Sequence, residues 1–275
     1  MKKHSWLLIA FCLTATVLLL IWGFGQSGAS RQQEVPLYAL VIENDTGPFL
    51  MQLRKGISDA AAMAGASLTV VGRDDPLPAQ ARAVLLWLDS PQAWVDSHPT
   101  QLPVYVIDGR ARGCPSISMD DKAAVVALLS RAQKLAAPLA VITDDDSTRS
   151  LRRSTQASAL ADMYDYALID YQPGMDWPAG YQTVVALSGR ATAALAAQSG
   201  NKPLRCFDTG DDRATLLENG TVAVMALDKP YALGGLAVQA AQVRSADDVA
   251  VTALLADKQN MYLPENVKQV FPLLQ

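Results

Sequence analysis

Short apolar runs alternate with amphipathic stretches from residue 37 almost to the carboxyl terminus, and this alternation constrains the fold more than any other feature. Leu37–Ile42 is continuously apolar, as a strand buried on both faces has to be. It is followed by Phe49–Gly65, where Leu50, Leu53, Ile57, Ala60, Ala61 and Ala64 fall on one helical face and Gly65 supplies a stop. The pattern predicts further strands at Leu68–Val71, Ala83–Leu88, Pro103–Ile107, Leu139–Thr143, Tyr166–Asp170, Thr183–Leu187, Leu204–Phe207 and Thr221–Ala226. Helices are expected at Asp121–Ala136 with Asp120 as cap, and at Arg149–Met163, Gly189–Gln198, Asp212–Glu218 and Tyr231–Val243. Val249–Ala256 has no clear period, and Met261–Leu263 reads as a last short strand. Strands that alternate with helices build parallel sheets covered on both faces. There are too many for one small unit, so the expected class is α/β with two doubly wound lobes. Ligands of such sheets sit beyond the carboxyl ends of the strands.

The amino terminus has a different character. Lys2 and Lys3 precede Trp6–Phe24, which carries no charge, and the next charged side chain is Arg31. As a helix this run would span roughly 28 Å, close to a bilayer core of about 30 Å. The lysines mark the cytoplasmic side, so the remainder is exported. Two readings are open for residues 1–29. The length favours an uncleaved anchor over residues 6–24, whereas Ser27-Gly28-Ala29 offers a signal-peptide cleavage site near Ala29. Gln26–Pro36 is a polar tether.

Composition excludes several functions. The net charge of -4 lacks the basic excess of a nucleic-acid binder. Only two histidines occur, and His4 lies in the targeting segment, which leaves little room for histidine metal sites or Ser-His-Asp chemistry. Three cysteines make no disulfide framework. No nucleophile elbow, phosphate loop or metal triad is present, so neither an enzyme nor a cofactor is expected.

Several segments, taken in order, resemble the type I periplasmic sugar-binding proteins, which share a core with the ligand domain of the lac repressor. In the opening strand and helix, Tyr38–Gly56, Pro48, Phe49 and Gly56 fit the family pattern. Leu102–Asp108 is similar to its third strand. Leu139–Thr143 with Arg149 resembles the strand and Arg-bearing loop of the second lobe. Cys206-Phe207-Asp208 resembles a Gly-Phe-Asp, Asp228–Gly234 resembles the second hinge crossing, and Leu263–Val267 resembles the C-terminal segment. No helix-turn-helix precedes the core, which removes a cytosolic repressor.

The resemblance implies crossings near 137, 228 and 258. Residues 36–136 plus 229–257 would form the first lobe, and 137–228 plus 258–275 the second. It also implies a small polar ligand, sugar-like, held by Phe49, Asp108, Arg110, Arg149, Asp208 and Asp228. The closed form would be presented to an inner-membrane transporter or receptor.

Departures from the pattern leave two explanations open. Leu187-Ser188 replaces a family Asn-Asp, Asp228 stands at a hinge Gln, and Asp144-Asp145-Asp146 replaces a Gly- and Ser-rich loop. Either the acidic cleft takes a different, cationic or metal-bearing ligand, or ligand binding has decayed and the chain is a partner domain for a membrane signalling protein or assembly. Trp87 reads as core, and Trp94 and Trp177 have no assigned place.

Overall fold

A computed structural model describes residues 35–43, 47–135, 138–207 and 212–263. The expected anchor, Asp208 and the Glu-Asn-Val of the C-terminal segment lie outside these residues. Among the described residues no helix is long and apolar enough to cross a membrane.

The chain forms two six-stranded sheets. In the first part, β1 (Leu37–Ile42), α1 (Pro48–Met63), β2 (Ser67–Gly72), β3 (Ala81–Trp87), α2 (Pro91–Ser97), β4 (Val104–Ile107) and β5 (Ser116–Met119) follow one another. Then come α3 (Asp121–Gln133), β6 (Leu139–Thr143), α4 (Thr148–Leu160), β7 (Ala167–Asp170), β8 (Thr183–Ala186), α5 (Gly189–Ala196), β9 (Leu204–Phe207), α6 (Arg213–Glu218) and β10 (Val222–Leu227). The described elements end with α7 (Pro230–Val243), β11 (Val249–Val251) and β12 (Leu254–Ala256).

The first sheet has the order β11-β5-β4-β3-β1-β2 and is parallel throughout. The second has the order β12-β10-β9-β8-β6-β7, parallel except for β12. Strand order therefore reverses between β1 and β3 in one sheet and between β6 and β8 in the other. The loops diverge there and leave a crevice at the carboxyl ends of the strands.

Two expected features move. The first crossing is placed at Asp120 rather than near 137, because α3 buries Ala124, Val125, Leu128 and Leu129 against Leu139, Val141, Val185 and Phe207 of the second sheet. An amphipathic helix shows which face it buries, not which sheet it covers. The third crossing is Thr252–Ala253 rather than near 258, since β11 pairs with β5 and β12 pairs with β10. The second passes through Asp228–Lys229, between β10 and α7. The Asp120 N–H donates to the Val251 carbonyl at 2.8 Å, tying the first crossing to the third.

Asp120 caps α3 as expected, its carboxylate accepting from the Ala123 N–H at 2.9 Å. Met261–Leu263 is a turn and not a strand. The sequence pattern missed β5 and α2. Ser116–Met119 carries two serines in four residues, and Pro91–Ser97 is too short to show a helical period.

Helices α1 and α7 pack over the first sheet with Leu50, Leu53, Ile57, Leu233, Ala237 and Val238 in its core. Both begin with proline in the first turn, where no N–H is missed. Their approach requires glycine. A Cβ on Gly56 would lie 2.1 Å from the Tyr231 carbonyl oxygen, and one on Gly234 would lie 2.4 Å from that of Leu53. This contact fixes the amino end of α1, and with it Phe49, at the crevice.

Candidate functional site

The site grows from the amino end of α4. Ser147 caps this helix, its hydroxyl accepting from the Ser150 N–H at 3.1 Å. Arg149, Arg152 and Arg153 then stand at i, i+3 and i+4, on one face. Cations near a helix amino terminus oppose its dipole, so three in the first turns require compensation from elsewhere. Asp108, Asp121 and Asp228 supply it.

Arg149 pairs with Asp108 and, at 2.5 Å, with Asp228. Arg152 donates to the Asp108 carboxylate at 2.8 Å, to the Asp108 carbonyl at 2.6 Å and to Asp121 at 3.0 Å. Arg153 donates to Asp121 at 3.0 Å and to Asp228 at 3.1 Å. Its guanidinium also lies over the Phe207 ring, 3.8 Å from the centroid. Three guanidinium groups thus interlock with three carboxylates, and charge is balanced within the network.

Asp108 is the centre of this arrangement. It follows β4 in a left-handed conformation, φ 55°, which Asp tolerates better than most residues. Its N–H donates to the Ile117 carbonyl at 2.8 Å, and the next carbonyl, Gly109, accepts from Ser116 Oγ at 2.7 Å. The turn is held from below while the carboxylate faces α4. Burial alone would push the Asp108 carboxyl up. The charges of Arg149 and Arg152 outweigh that and hold it below the usual carboxylate range. For Arg149, burial works downward, but Asp108 and Asp228 raise it above the ordinary arginine value.

Above the network lies a cavity of about 410 Å³, lined from the first lobe by Glu43, Phe49, Trp87, Asp89, Asp108 and Arg110. From the second lobe come Ser147, Thr148, Arg149 and Arg152. The loops after β1, β3 and β4 of the first sheet therefore face the loop after β6 and the start of α4 across it. Phe49 stacks on Trp87 with ring centroids 5.7 Å apart and planes 19° from parallel. The Arg149 guanidinium sits 4.3 Å from the Phe49 centroid. Glu43 is held at the rim by Arg73 at 2.8 Å.

Of the residues expected from sequence, Phe49, Asp108, Arg110 and Arg149 line this cavity. Asp228 lies behind it, buried, as the partner of Arg149 and Arg153. Arg110 is exposed and makes no ion pair among the described residues. Sequence reasoning missed Arg152, Arg153 and Asp121, although the arginine spacing next to a serine cap was visible. Trp87, read as core, ends β3 and lines the cavity. Trp94 and Trp177 are core residues.

The acidic loop also differs from its sequence reading. Asp144 is buried and accepts from Ser188 Oγ at 2.6 Å and from Arg190 Nε at 3.1 Å. Burial raises its carboxyl, and the bonds from Arg190 and Ser188 more than reverse this. Asp108, Asp144 and Asp228 are thus each matched by arginine, and no cluster among the described residues could hold a metal ion. Cys114 is a half-buried thiol, and Cys206 is buried in the core of the second sheet.

Aromatic faces beside planar charged groups bind the C–H faces and hydroxyls of polar molecules. The fold is that of the type I periplasmic sugar-binding proteins and LacI-family regulators. An ABC transporter, LacI family transcriptional regulator from Brachyspira murdochii superposes with a TM-score of 0.71 at 17% identity, over 86% of this chain and 99% of that one. A carbohydrate transporter solute-binding protein from Agrobacterium radiobacter, in complex with D-arabinose, gives 0.67 at 17% identity, over 87% and 100%. The XylFII-LytSN complex gives 0.61 at 13% identity, over 82% and 98%. No protein-family model matches the chain, and no curated protein matches it.

Proposed function

We propose that this chain is an exported binding protein that takes a small polar ligand, a sugar or sugar derivative, between its two lobes. One observation carries the reading: the Phe49–Trp87 aromatic pair and the Asp108, Arg149 and Arg152 set converge on one cavity where both sheets reverse strand order. The aromatic pair offers a face for a sugar ring. The charged set lines the same cavity, and a polar ligand that displaces part of its internal pairing meets groups whose directions are already fixed. Arg110 and Asp208 belong to the same proposed set. The D-arabinose held by the Agrobacterium protein supports the ligand class. Residues 6–24 would keep the protein on the outer face of the inner membrane, where the closed form meets a transporter or receptor.

A specific contact favours a second reading. Arg149 covers the Phe49 ring that a sugar would use. A chain whose own side chains fill that place serves equally as a partner domain of a membrane signalling protein or assembly. Calorimetric titration of the full chain with pentoses, hexoses and their acids separates the two. Saturable binding that weakens roughly fivefold in Phe49→Ala, the loss of on the order of 1 kcal/mol of stacking, supports sugar capture. Heat-silent titrations with every sugar leave the partner reading.

A further inference from the structure

We propose that Asp108, Arg149 and Arg152 form a latch by which the chain's own charges draw the two lobes together, with no solute needed between them. Asp108 belongs to the first sheet, at the end of β4. Arg149 and Arg152 belong to α4, which covers the second. Their bonds therefore cross the cleft and depend on the angle between the lobes. The pairs of Arg153 do not. Asp121 opens α3, which packs on the second sheet, and Asp228 directly follows β10, so both travel with the lobe that carries Arg153.

The latch has a prepared half and a responsive half. Asp228 holds Arg149 and Asp121 holds Arg152 from within the second lobe, so these two pairs do not depend on where the first lobe stands. Their long side chains are already ordered, so little rotamer entropy is lost when they reach Asp108. On the other side, Asp108 is fixed by its backbone bonds to Ile117 and by the Ser116–Gly109 bond in the same turn. Both of its carboxylate oxygens and its carbonyl are taken by the two arginines. The Arg149–Phe49 contact adds a fourth link across the cleft.

A ligand that stacks on Phe49 has to move Arg149 aside. Binding then competes with the latch, and apparent affinity is the intrinsic affinity scaled down by the fraction of molecules that are unlatched. A partner that recognises closed lobes would find them without ligand. This holds whichever solute the cleft takes, or if it takes none, so it stands apart from the function proposed above.

Double electron–electron resonance on the full chain tests it. Spin labels go on exposed Ala93 of the first lobe and Ala159 of the second, with Cys12, Cys114 and Cys206 replaced by alanine. Mass spectrometry of denatured samples verifies that no solute co-purifies. The wild type is expected to show one short distance, matching the separation in this structure. Asp108→Asn, which keeps shape and left-handed backbone tolerance, and Arg152→Met are each expected to shift it to longer, broader distances. A wild-type distribution already at the long distance overturns the proposal, as does a short distance unchanged in both variants. Should Asp108→Asn fail to fold, the double variant Arg149→Met/Arg152→Met decides, because it removes both arginine arms that reach Asp108.

Discussion

Arg153 shows how much one side chain can hold. It is 4% exposed, pairs with two carboxylates at the lobe crossings, and covers Phe207. Its replacement by Met keeps the volume but leaves buried Asp121 to Arg152 alone and buried Asp228 to Arg149 alone. Breaking a buried network from one side costs about 3–5 kcal/mol, and a urea midpoint lowered accordingly is the expected result. Asp108 and Asp144 make the complementary prediction for pH. Both carboxyls are held below their ordinary value, near 4. Their contribution to stability is complete above that ordinary value and is lost as pH falls through the depressed one. Urea midpoints measured from pH 7 to pH 3 should stay level down to about 4 and drop below it, and Asp108→Asn should flatten part of that drop. Residues of this kind are the hardest to read from sequence. Asp108 and Arg149 were legible through position, at a strand end and a helix start. Asp121 looked like a first-turn acid beside its capping neighbour Asp120, because nothing local says that its partners are thirty residues away.

At the scale of elements, the contact between α1 and α7 gives the sharpest test. Gly56→Ala puts a methyl group into the Tyr231 carbonyl and Gly234→Ala puts one into that of Leu53. Overpacking of this kind costs about 1–3 kcal/mol, so each variant should melt at a lower temperature. If α1 is pushed outward, Phe49 moves with it and ligand affinity falls together with stability. Both glycines were visible in the sequence, and both stood within segments that resemble a family pattern. Their meaning was not, since the atoms they make room for belong to a helix about 180 residues away in the chain. The buried strands β1, β6 and β8 were legible because each is a continuous apolar run closed by polar or loop residues. In β5 two serines interrupt that signal, although Ser116 and Ile117 are buried. Helix α4 reads as amphipathic, and the arginine triplet in its first turns is a local conflict with the helix dipole whose meaning the sequence reading missed apart from Arg149.

On the scale of the whole molecule, order along the chain was easier to read than allegiance. Which helix follows which strand is a local matter. Which sheet a helix covers depends on the crossing, and α3 keeps its apolar stripe whichever lobe it joins. The expected boundary accordingly fell at the end of that helix instead of its beginning. The cleft was legible as a set of strand-end loops, yet its charge balance was not. The sequence shows a run of aspartates at 144–146, and the structure shows that Asp144 is matched by Arg190 and Ser188. An acidic mouth that attracts cations is therefore not what the described residues form. Divalent cations should leave the melting temperature of the chain unchanged at millimolar concentration, a thermal-shift measurement that a genuine metal site would fail by mass action.

The third crossing is a link of just Thr252 and Ala253, joining the edge strand of one sheet to the edge strand of the other. Both ends are clamped by sheet pairing, and Asp120 is bonded to the strand at its start. Mechanically this is a pivot pin with almost no slack. The lobes can turn about it but cannot slide far apart at this edge. Glycines inserted between those two residues would leave each sheet intact and turn a calibrated swing into a loose wobble.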